Sequence, residues 1–250
     1  MIELKLIGIG TGNPEHLTLE AVRALQGADL LLLPRKGDDK ADLADLRRTI
    51  CAAQGTQDRT VEFDLPKRDA ANPAYLDGVN DWHDAIAATW ADLIARHLPQ
   101  GGTVALLVWG DPSLYDSSLR IAERLAAAGI GLKVNVIAGI TSLQLLTACH
   151  AIPLNTLGGE VVITTGRRLR QDGWPGSAET VVVMLDAGGA FEVLDPEGTN
   201  IYWGAYLGMP FEIALSGPLA ETAPLILAAR AKAREAHGWI MDIYLLRRPG

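Results

Sequence analysis

The stretch TVALLVWGDPSLYDSS, residues 103–118, decides how this chain folds. Its first half is a run of valine, leucine and alanine, which is typical of a strand buried on both faces of a parallel sheet. The run stops at Gly110-Asp111-Pro112, and apolar residues then recur at helical spacing. Because such strands present ligand loops at their carboxyl ends, the stretch predicts an α/β fold with Asp111 in a ligand site.

Two further glycine turns follow predicted strands in the same half of the chain. The apolar run at residues 4–9 leads into GIGTGNP (residues 8–14), and the strand predicted at residues 132–136 leads into IAGITS (residues 137–142). Further elements are predicted as strands at residues 28–33 and 61–65 and as helices after Thr18, at residues 43–51 and at residues 75–98. This alternation predicts a parallel sheet wound on both sides, with the three glycine turns at one edge.

The pattern changes after residue 150. Residues 151–159 are rich in proline, asparagine and glycine, which is typical of a linker. Beyond them strands predominate, at residues 161–164, 180–185, 201–205, 212–216 and 239–245, with one helix at residues 220–233. We therefore predict two α/β domains: a mostly parallel one at residues 1–152 and one with a mixed sheet at residues 159–250.

The composition is that of a globular protein, with 48% apolar and 21% charged residues and a net charge of −8. This acidic balance argues against nucleic acid as a partner. The N-terminus carries no apolar signal core, and no apolar run reaches the roughly 18 residues that span a membrane. The cysteines, Cys51 and Cys149, are expected to be small buried residues in a reducing compartment. We expect a soluble, cytoplasmic protein without a membrane partner.

Several familiar binding motifs are missing from the sequence. The first glycine turn departs from the dinucleotide motif at Asn13, and no P-loop sequence occurs. The five histidines stand singly, so no metal site is predicted. Two basic pairs, Arg35-Lys36 and Arg167-Arg168, fall in predicted loops after strands. They are either solvated charges or contacts for an anionic substrate.

Taken together and in this order, the motifs resemble those of the tetrapyrrole (corrin/porphyrin) methyltransferase family. The segments that carry the resemblance are GIGTGNPEHLT (8–18), WGDPSLYDSS (109–118), AGITSLQ (138–144), VVVML (181–185) and YLGMPFEIALSGPLAE (206–221). They cover nearly the whole chain. Two positions depart from the family pattern: Ala138 replaces the usual proline, and Trp109 replaces the usual small residue. Both changes alter the shape of a loop more than its chemistry.

The resemblance implies two α/β domains with S-adenosylmethionine in a cleft between them and S-adenosylhomocysteine as the product of that cofactor. It implies no metal. Carried over by position, the cofactor contacts are Thr11, Trp109, Gly110, Asp111, Leu114, Thr141, Ser142, Met184 and Leu207.

Three segments, IELKLIGIGTGNPEHLTLEAV, LLLPRKGDDKADLADLR and VNDWHDAIAATW, are similar to one branch of the family. This similarity implies methyl transfer to ring carbon C-1 of precorrin-5, with loss of the extruded acetyl unit as acetic acid, in aerobic cobalamin biosynthesis. The substrate is then an anionic, metal-free tetrapyrrole, and the family also implies a homodimer. The side chains suited to the substrate carboxylates are Arg35, Lys36, Arg167 and Arg168.

Three residues are the candidates for catalysis within this family. Methyl transfer requires both partners to be held in line. We hypothesise that Asp111 orients the cofactor near its sulfonium or acts on a substrate proton. Loss of the acetyl unit needs an activated water, for which His16 and Tyr115 are the candidates.

Two alternatives stay open. Another enzyme of the same fold could methylate a different ring carbon, or modify ribosomal RNA or a protein side chain, although the acidic balance weighs against RNA. A non-catalytic regulator could instead bind S-adenosylmethionine without turnover. A product that gains a methyl group but keeps its acetyl unit would indicate a different ring carbon, and binding without methyl transfer would indicate a regulator.

Overall fold

The computed structural model describes residues 1–35, 41–66 and 75–248. The chain divides into two compact units, Met1–Ile140 and Thr141–Gly250. No helix among the described residues is long and apolar enough to cross a membrane.

The first unit is a parallel sheet with helices on both faces, as predicted. Its elements are β1 (Ile2–Gly8), α1 (Leu19–Gln26), β2 (Leu30–Arg35), α2 (Ala41–Ala53), β3 (Thr60–Asp64), α3 (Tyr75–His97), β4 (Gly102–Val108), α4 (Ser118–Ala127) and β5 (Leu132–Ile137). The strand order is β3-β2-β4-β1-β5, and every pairing is parallel. Buried residues of α3 and α4 pack on one face of the sheet, and those of α1 and α2 pack on the other.

The second unit contains the mixed sheet that the sequence predicts. Its elements are α5 (Ser142–Cys149), β6 (Val161–Thr165), α6 (Gly166–Asp172), β7 (Thr180–Met184), β8 (Asn200–Ala205), β9 (Ile213–Pro218), α7 (Leu219–His237) and β10 (Asp242–Arg247). The strand order is β6-β7-β10-β8-β9, in which only β6 and β7 pair in parallel. Since β10 is antiparallel to both β7 and β8, the carboxyl ends of β6, β7 and β8 lie at the same edge of the sheet.

Helix α5 belongs to the second unit, although the alternation of strands and helices groups it with the first half. Its buried residues Leu143 and Leu146 pack in one apolar cluster with Leu207 and Ile243. The chain therefore passes from one unit to the next at residues 140–141 rather than in the breaker-rich stretch at residues 151–159. Apolar packing decides this division, and a linker-like composition does not show where packing changes.

The basic pair Arg167-Arg168 lies on helix α6 and not in a loop, so that expectation is wrong. Thr165 caps this helix, because its hydroxyl accepts a hydrogen bond from the backbone N–H of Arg168. A helix of seven residues is too short to show a clear apolar period in the sequence.

Three smaller expectations are also corrected. Strand β2 continues through Pro34 to Arg35 rather than ending at residue 33 as predicted, because it still pairs with β3 there. The sequence predicts that the Ser117-Ser118 pair caps a helix; Ser117 does occupy the cap position of α4, but its side chain forms no capping hydrogen bond. Cys51 is buried as expected, whereas Cys149 is exposed.

Candidate functional site

The glycine turns after β1, β4 and β5 meet at the carboxyl edge of the first sheet. The backbone N–H of Gly110 donates to the carbonyl of Gly10 at 2.8 Å, which joins the first turn to the second. A Cβ on Gly139 would lie 2.2 Å from the carbonyl oxygen of Gly110 and 2.7 Å from the Cα of Gly8. Only glycine permits this approach of three backbone segments, so the turns form one structure.

Asp111 ties the turn after β4 to the turn after β5. One carboxylate oxygen accepts from the backbone N–H and the hydroxyl of Ser113, and the other accepts from the N–H of Gly139 at 2.8 Å. Burial alone would raise the pKa of Asp111, but these hydrogen bonds outweigh it and hold the pKa below its usual value. Asp111 is therefore an ionised residue that organises the loops. Ser113 was missed in the sequence, although Asp-Pro-Ser is a typical turn pattern.

The other predicted residues of the turn after β4 differ in exposure. Trp109 and Leu114 are half-buried, and Tyr115 is exposed. Tyr115 adopts φ +50°, a left-handed conformation that is uncommon for a bulky residue and often marks a functional loop. Partial desolvation raises the pKa of Tyr115, so the side chain can donate a hydrogen bond at neutral pH but is a poor base.

His16 lies against Gly10 of the first glycine turn, and Thr11 of the same turn is buried. A Cβ on Gly10 would lie 2.9 Å from the Cβ of His16. The Nδ1 atom of His16 is buried and has no hydrogen-bond partner among the residues that the structure describes. An unsatisfied buried nitrogen is uncommon and indicates a ligand, a water molecule or a catalytic role.

Of the first basic pair, the structure describes only Arg35, because Lys36 lies outside the described residues. Arg35 ends β2, at the same sheet edge as the glycine turns. Its guanidinium forms ion pairs with Asp64 at 3.0 Å and with Glu62 at 3.7 Å. A substrate carboxylate would have to compete with these two acidic side chains for Arg35.

Arg47, which the sequence analysis missed, reaches the same sheet edge from α2. The pairing of β2 with β4 ends at Leu32 and Leu106. In a parallel ladder the Leu107 carbonyl would next accept from Pro34, which has no N–H. The Nε atom of Arg47 donates to that carbonyl instead, at 3.1 Å. Burial lowers the pKa of Arg47 to about 10, while nearby Asp116 opposes the shift.

The carboxyl ends of β2 and β4, where their pairing stops beside Arg47, are the point at which the sheet changes its winding direction. Helix α2 follows β2 on one face, and helix α4 follows β4 on the other. Ligands of open α/β sheets bind outside the strand ends at such points.

Met184 and Leu207 lie at one edge of the second sheet. Met184 ends β7, and Leu207 comes two residues after the end of β8. The residues next to them, Leu185 and Tyr206, both have left-handed backbone conformations, with φ +53° and φ +52°. Helix α6, with Arg167 and Arg168, follows β6 at the same edge. Arg168 is ion-paired with Asp172 at 3.1 Å.

Thr141 and Ser142 begin helix α5. The hydroxyl of Thr141 accepts from the backbone N–H of Leu143 at 3.2 Å, and the side chain of Gln144 accepts from the backbone N–H of Thr141 at 3.0 Å. This reciprocal capping fixes the start of the helix directly after the third glycine turn.

The residues present fit S-adenosylmethionine. At the edge of the first sheet, the half-buried side chain of Leu114 offers apolar surface and the unsatisfied Nδ1 of His16 offers a polar group, whereas the N–H groups of Gly10 and Gly110 donate to each other's carbonyls. Such a mixture of apolar surface and a few convergent polar groups is typical of sites for small organic ligands. Among the described residues, no group of three or more His, Cys, Asp or Glu side chains could hold a metal ion.

Comparison with known proteins gives concordant matches. The sequence model of the tetrapyrrole (corrin/porphyrin) methylases matches residues 3–223. The chain is 51% identical to the deacetylating precorrin-6A synthase of Sinorhizobium sp, over 99% of this chain and 96% of that protein. The crystal structure of a cobalamin synthesis related protein (CobF) from Corynebacterium diphtheriae superimposes with a TM-score of 0.86 at 37% identity, over 99% of both chains.

A more distant structure shares the fold. The uroporphyrin-III C-methyltransferase of Thermus thermophilus, solved with S-adenosylhomocysteine, superimposes with a TM-score of 0.59 at 21% identity, over 98% of this chain and 92% of that one.

Proposed function

The chain belongs to the tetrapyrrole (corrin/porphyrin) methylase family, and from this premise we propose that it catalyses the reaction of a deacetylating precorrin-6A synthase. In that reaction, ring carbon C-1 of precorrin-5 receives a methyl group, and the extruded acetyl unit leaves with the elements of water as acetic acid. The observation that carries the proposal is 51% identity to such a synthase over 99% of the chain. The linked glycine turns at the first sheet edge support it.

S-adenosylmethionine supplies the methyl group from its sulfonium. The proposed contacts of the first unit are Thr11, Trp109, Gly110, Asp111 and Leu114, and those of the second unit are Thr141, Ser142, Met184 and Leu207. Asp111 contributes by fixing the backbone of two turns with its ionised carboxylate, since its oxygens accept from Ser113 and Gly139. Holding the reacting atoms in line is the main task of the protein in a methyl transfer.

For acetyl release we propose His16 as the group that takes a proton from the attacking water. Its Nδ1 has no hydrogen-bond partner among the described residues and lies beside the first glycine turn. Tyr115 serves as a hydrogen-bond donor rather than a base, because its pKa is raised by partial desolvation. The arginine pair Arg167-Arg168, together with Arg35 and Lys36, is proposed to bind substrate carboxylates.

Mass spectrometry of the purified protein with S-adenosylmethionine and precorrin-5 tests the proposal. We expect a product that has gained one methyl group and lost its acetyl unit, with free acetate in solution. A methylated product that keeps the acetyl unit would assign the chain to another step on the same macrocycle. Binding of S-adenosylmethionine without methyl transfer would leave a regulator. The homodimer and the cytoplasmic location stay predictions, and sedimentation equilibrium checks the first of them.

A further inference from the structure

We propose that Asp186 is a positioning residue, which holds the end of β7 and the start of α6 so that Met184 can contact the cofactor. This role rests on the proposed function, in which Met184 is a cofactor contact. No sequence motif singled out Asp186, which comes two residues after the end of β7. Its side chain is only 2% exposed.

The carboxylate of Asp186 accepts four hydrogen bonds. One oxygen accepts from the N–H of Gly188 at 3.1 Å and from Nη2 of Arg170 at 3.3 Å. The other accepts from the N–H of Ala190 at 2.5 Å and from the hydroxyl of Tyr244 at 2.8 Å. The donors belong to the loop after β7, to α6 and to β10. One buried carboxylate therefore ties three parts of the second unit together.

These donors keep Asp186 charged. Burial alone would raise the pKa of its carboxyl, but the hydrogen bonds from Ala190, Gly188 and Tyr244 and the charge of Arg170 lower the pKa below its usual value. The ionised form is also the form that accepts from all four donors. Removal of the charge would leave buried donors with a weaker partner or none.

The backbone of Asp186 is held as well. Nη2 of Arg230, on α7, donates to the carbonyl of Asp186 at 2.9 Å. Nη1 of the same arginine is ion-paired with the buried Asp242, which also accepts from the indole N–H of Trp203 at 2.7 Å. A chain of buried polar contacts therefore runs from β8 and β10 through α7 to Asp186.

The neighbouring Leu185 shows why such anchoring is needed. It lies between Met184 and Asp186, adopts φ +53° and is 66% exposed. A leucine in a left-handed conformation is strained and persists only when its surroundings determine the backbone. The contacts of Asp186 supply that restraint directly after Leu185, so they also fix the backbone at Met184.

The same carboxylate sets the position of α6. A Cβ on Gly166, the first residue of α6, would lie 2.4 Å from Oδ1 of Asp186. The helix that carries Arg167 and Arg168 therefore starts directly against this side chain. Asp186 couples a proposed cofactor contact, Met184, to two proposed substrate contacts without touching either ligand.

The test compares Asp186→Asn with Asp195→Asn. Asp195 is an exposed aspartate of the same unit, whose carboxylate accepts from a backbone N–H at 3.0 Å in a turn before β8, away from the edge that carries Met184. Calorimetry gives the dissociation constant of S-adenosylhomocysteine, and kinetics gives KM for S-adenosylmethionine. We expect both constants to rise about tenfold in Asp186→Asn, as for loss of one hydrogen bond to a charged group, and to stay within twofold in Asp195→Asn.

A merely structural role would lower the melting temperature without changing binding far below it. A folded Asp186→Asn variant that binds S-adenosylhomocysteine like the wild type would therefore overturn the proposal. If Asp186→Asn does not fold, binding of S-adenosylhomocysteine by Tyr244→Phe tests the proposal instead, because this variant removes one donor to Asp186 and leaves the carboxylate in place. We expect it to bind about threefold more weakly, and unchanged binding would count against the proposal.

The outcomes also separate this proposal from the proposed function. A wild-type chain that binds S-adenosylhomocysteine but does not methylate precorrin-5 would end the proposed function, while the binding comparison would still decide the role of Asp186. A wild-type chain that binds no S-adenosylhomocysteine would overturn both.

Discussion

His83 lies in the interior of the first unit, 3% exposed, and neither ring nitrogen has a hydrogen-bond partner among the described residues. Burial lowers the pKa of His83, and the positive charges of Arg124 and Arg120 lower it further. Asp84 and Asp116 act in the opposite direction but do not reverse the shift. The folded protein therefore holds His83 as a neutral side chain.

The depressed pKa of His83 predicts a loss of stability in mild acid. In the unfolded chain the imidazole has its ordinary pKa of about 6.5 and binds a proton that the folded chain binds less readily. The free energy of unfolding should therefore fall as the pH drops below about 6.5. His83→Leu removes the group and should flatten this fall, as urea denaturation at pH 7.5 and pH 5.5 would show.

The matched control is His97→Gln, which changes an exposed histidine of α3, the helix that also carries His83. In this variant the free energy of unfolding should vary with pH as in the wild type. If the free energy of unfolding of His83→Leu fell between pH 7.5 and pH 5.5 as much as that of the wild type, the loss of stability in acid could not be assigned to His83.

Asp111 gives a prediction of opposite sign. Its folded pKa is depressed, so its contribution to stability is present above the ordinary carboxyl pKa of about 4 and is lost as the pH falls through the folded value. Asp111→Asn should lower the free energy of unfolding by about 2 kcal/mol at pH 7 and abolish methyl transfer. The difference from the wild type should shrink below pH 4 in denaturation curves. Ser113→Ala removes one donor, the hydroxyl, and keeps the carboxylate with its two backbone donors, so it should show a smaller loss; equal losses would refute this account.

His16 permits the two chemical steps to be separated. If His16 activates water for acetyl release, His16→Gln should still transfer the methyl group but accumulate a product that retains its acetyl unit. Mass spectrometry with acetate detection measures both events in one sample. Glu15→Gln, the exposed neighbouring residue, should release acetate at the wild-type rate. Normal acetate release by His16→Gln would remove His16 from the mechanism.

At the scale of the elements, the sequence predicts what depends on local pattern. The central strand β4 is a continuous apolar run that is buried, so it could be recognised from composition. Strands β1 and β5 carry alternating polar residues, and β5 is mostly exposed, so they are recognised from the glycine turns that follow them. The glycines at these strand ends are needed for close backbone approach, which leaves a visible mark in the sequence. The edge of the first sheet was therefore predictable.

What the sequence did not predict depends on contacts between distant residues. Arg47 looks like any charged residue of an amphipathic helix, and its contact with the Leu107 carbonyl is explained by the missing N–H of Pro34, in another element. Asp186 acquires its partners from α6 and β10, which are 16 and 58 residues away in sequence. A local pattern contains no information on such pairings.

Arg47 yields a prediction about the junction of α2 and β4. Arg47→Met keeps the length of the side chain but leaves the Leu107 carbonyl without its donor, which should lower the free energy of unfolding by about 1–3 kcal/mol. Urea denaturation measures the change. Arg48→Met, one residue along the same helix, removes a solvent-exposed pair with Glu62 and should leave the stability nearly unchanged. Equal losses of unfolding free energy in both variants would show that the buried contact of Arg47 stabilises the fold no more than the exposed ion pair of Arg48.

At the scale of the whole molecule, the negative net charge of the chain opposes binding of the proposed substrate. The chain has a net charge of −8, yet the proposed substrate is itself an anion. Long-range repulsion is screened beyond about 8–10 Å at physiological salt, so local cations can still hold a carboxylate. Substrate affinity must therefore depend on where a few basic residues lie rather than on the total charge.

This reasoning predicts that position outweighs net charge when cations are removed. The double variant Arg167→Ser, Arg168→Ser removes two positive charges from α6, and Lys133→Ser, Lys232→Ser removes two exposed ones from β5 and α7, so both proteins become equally more negative. We expect KM for precorrin-5 to rise about tenfold or more in the first variant only, as for loss of one or two charge-assisted hydrogen bonds. The dissociation constant of S-adenosylhomocysteine should stay unchanged in both, because these side chains are assigned to substrate carboxylates. Equal rises in KM would mean that the overall field of the protein controls substrate binding, and the assignment of α6 to the substrate would then fall.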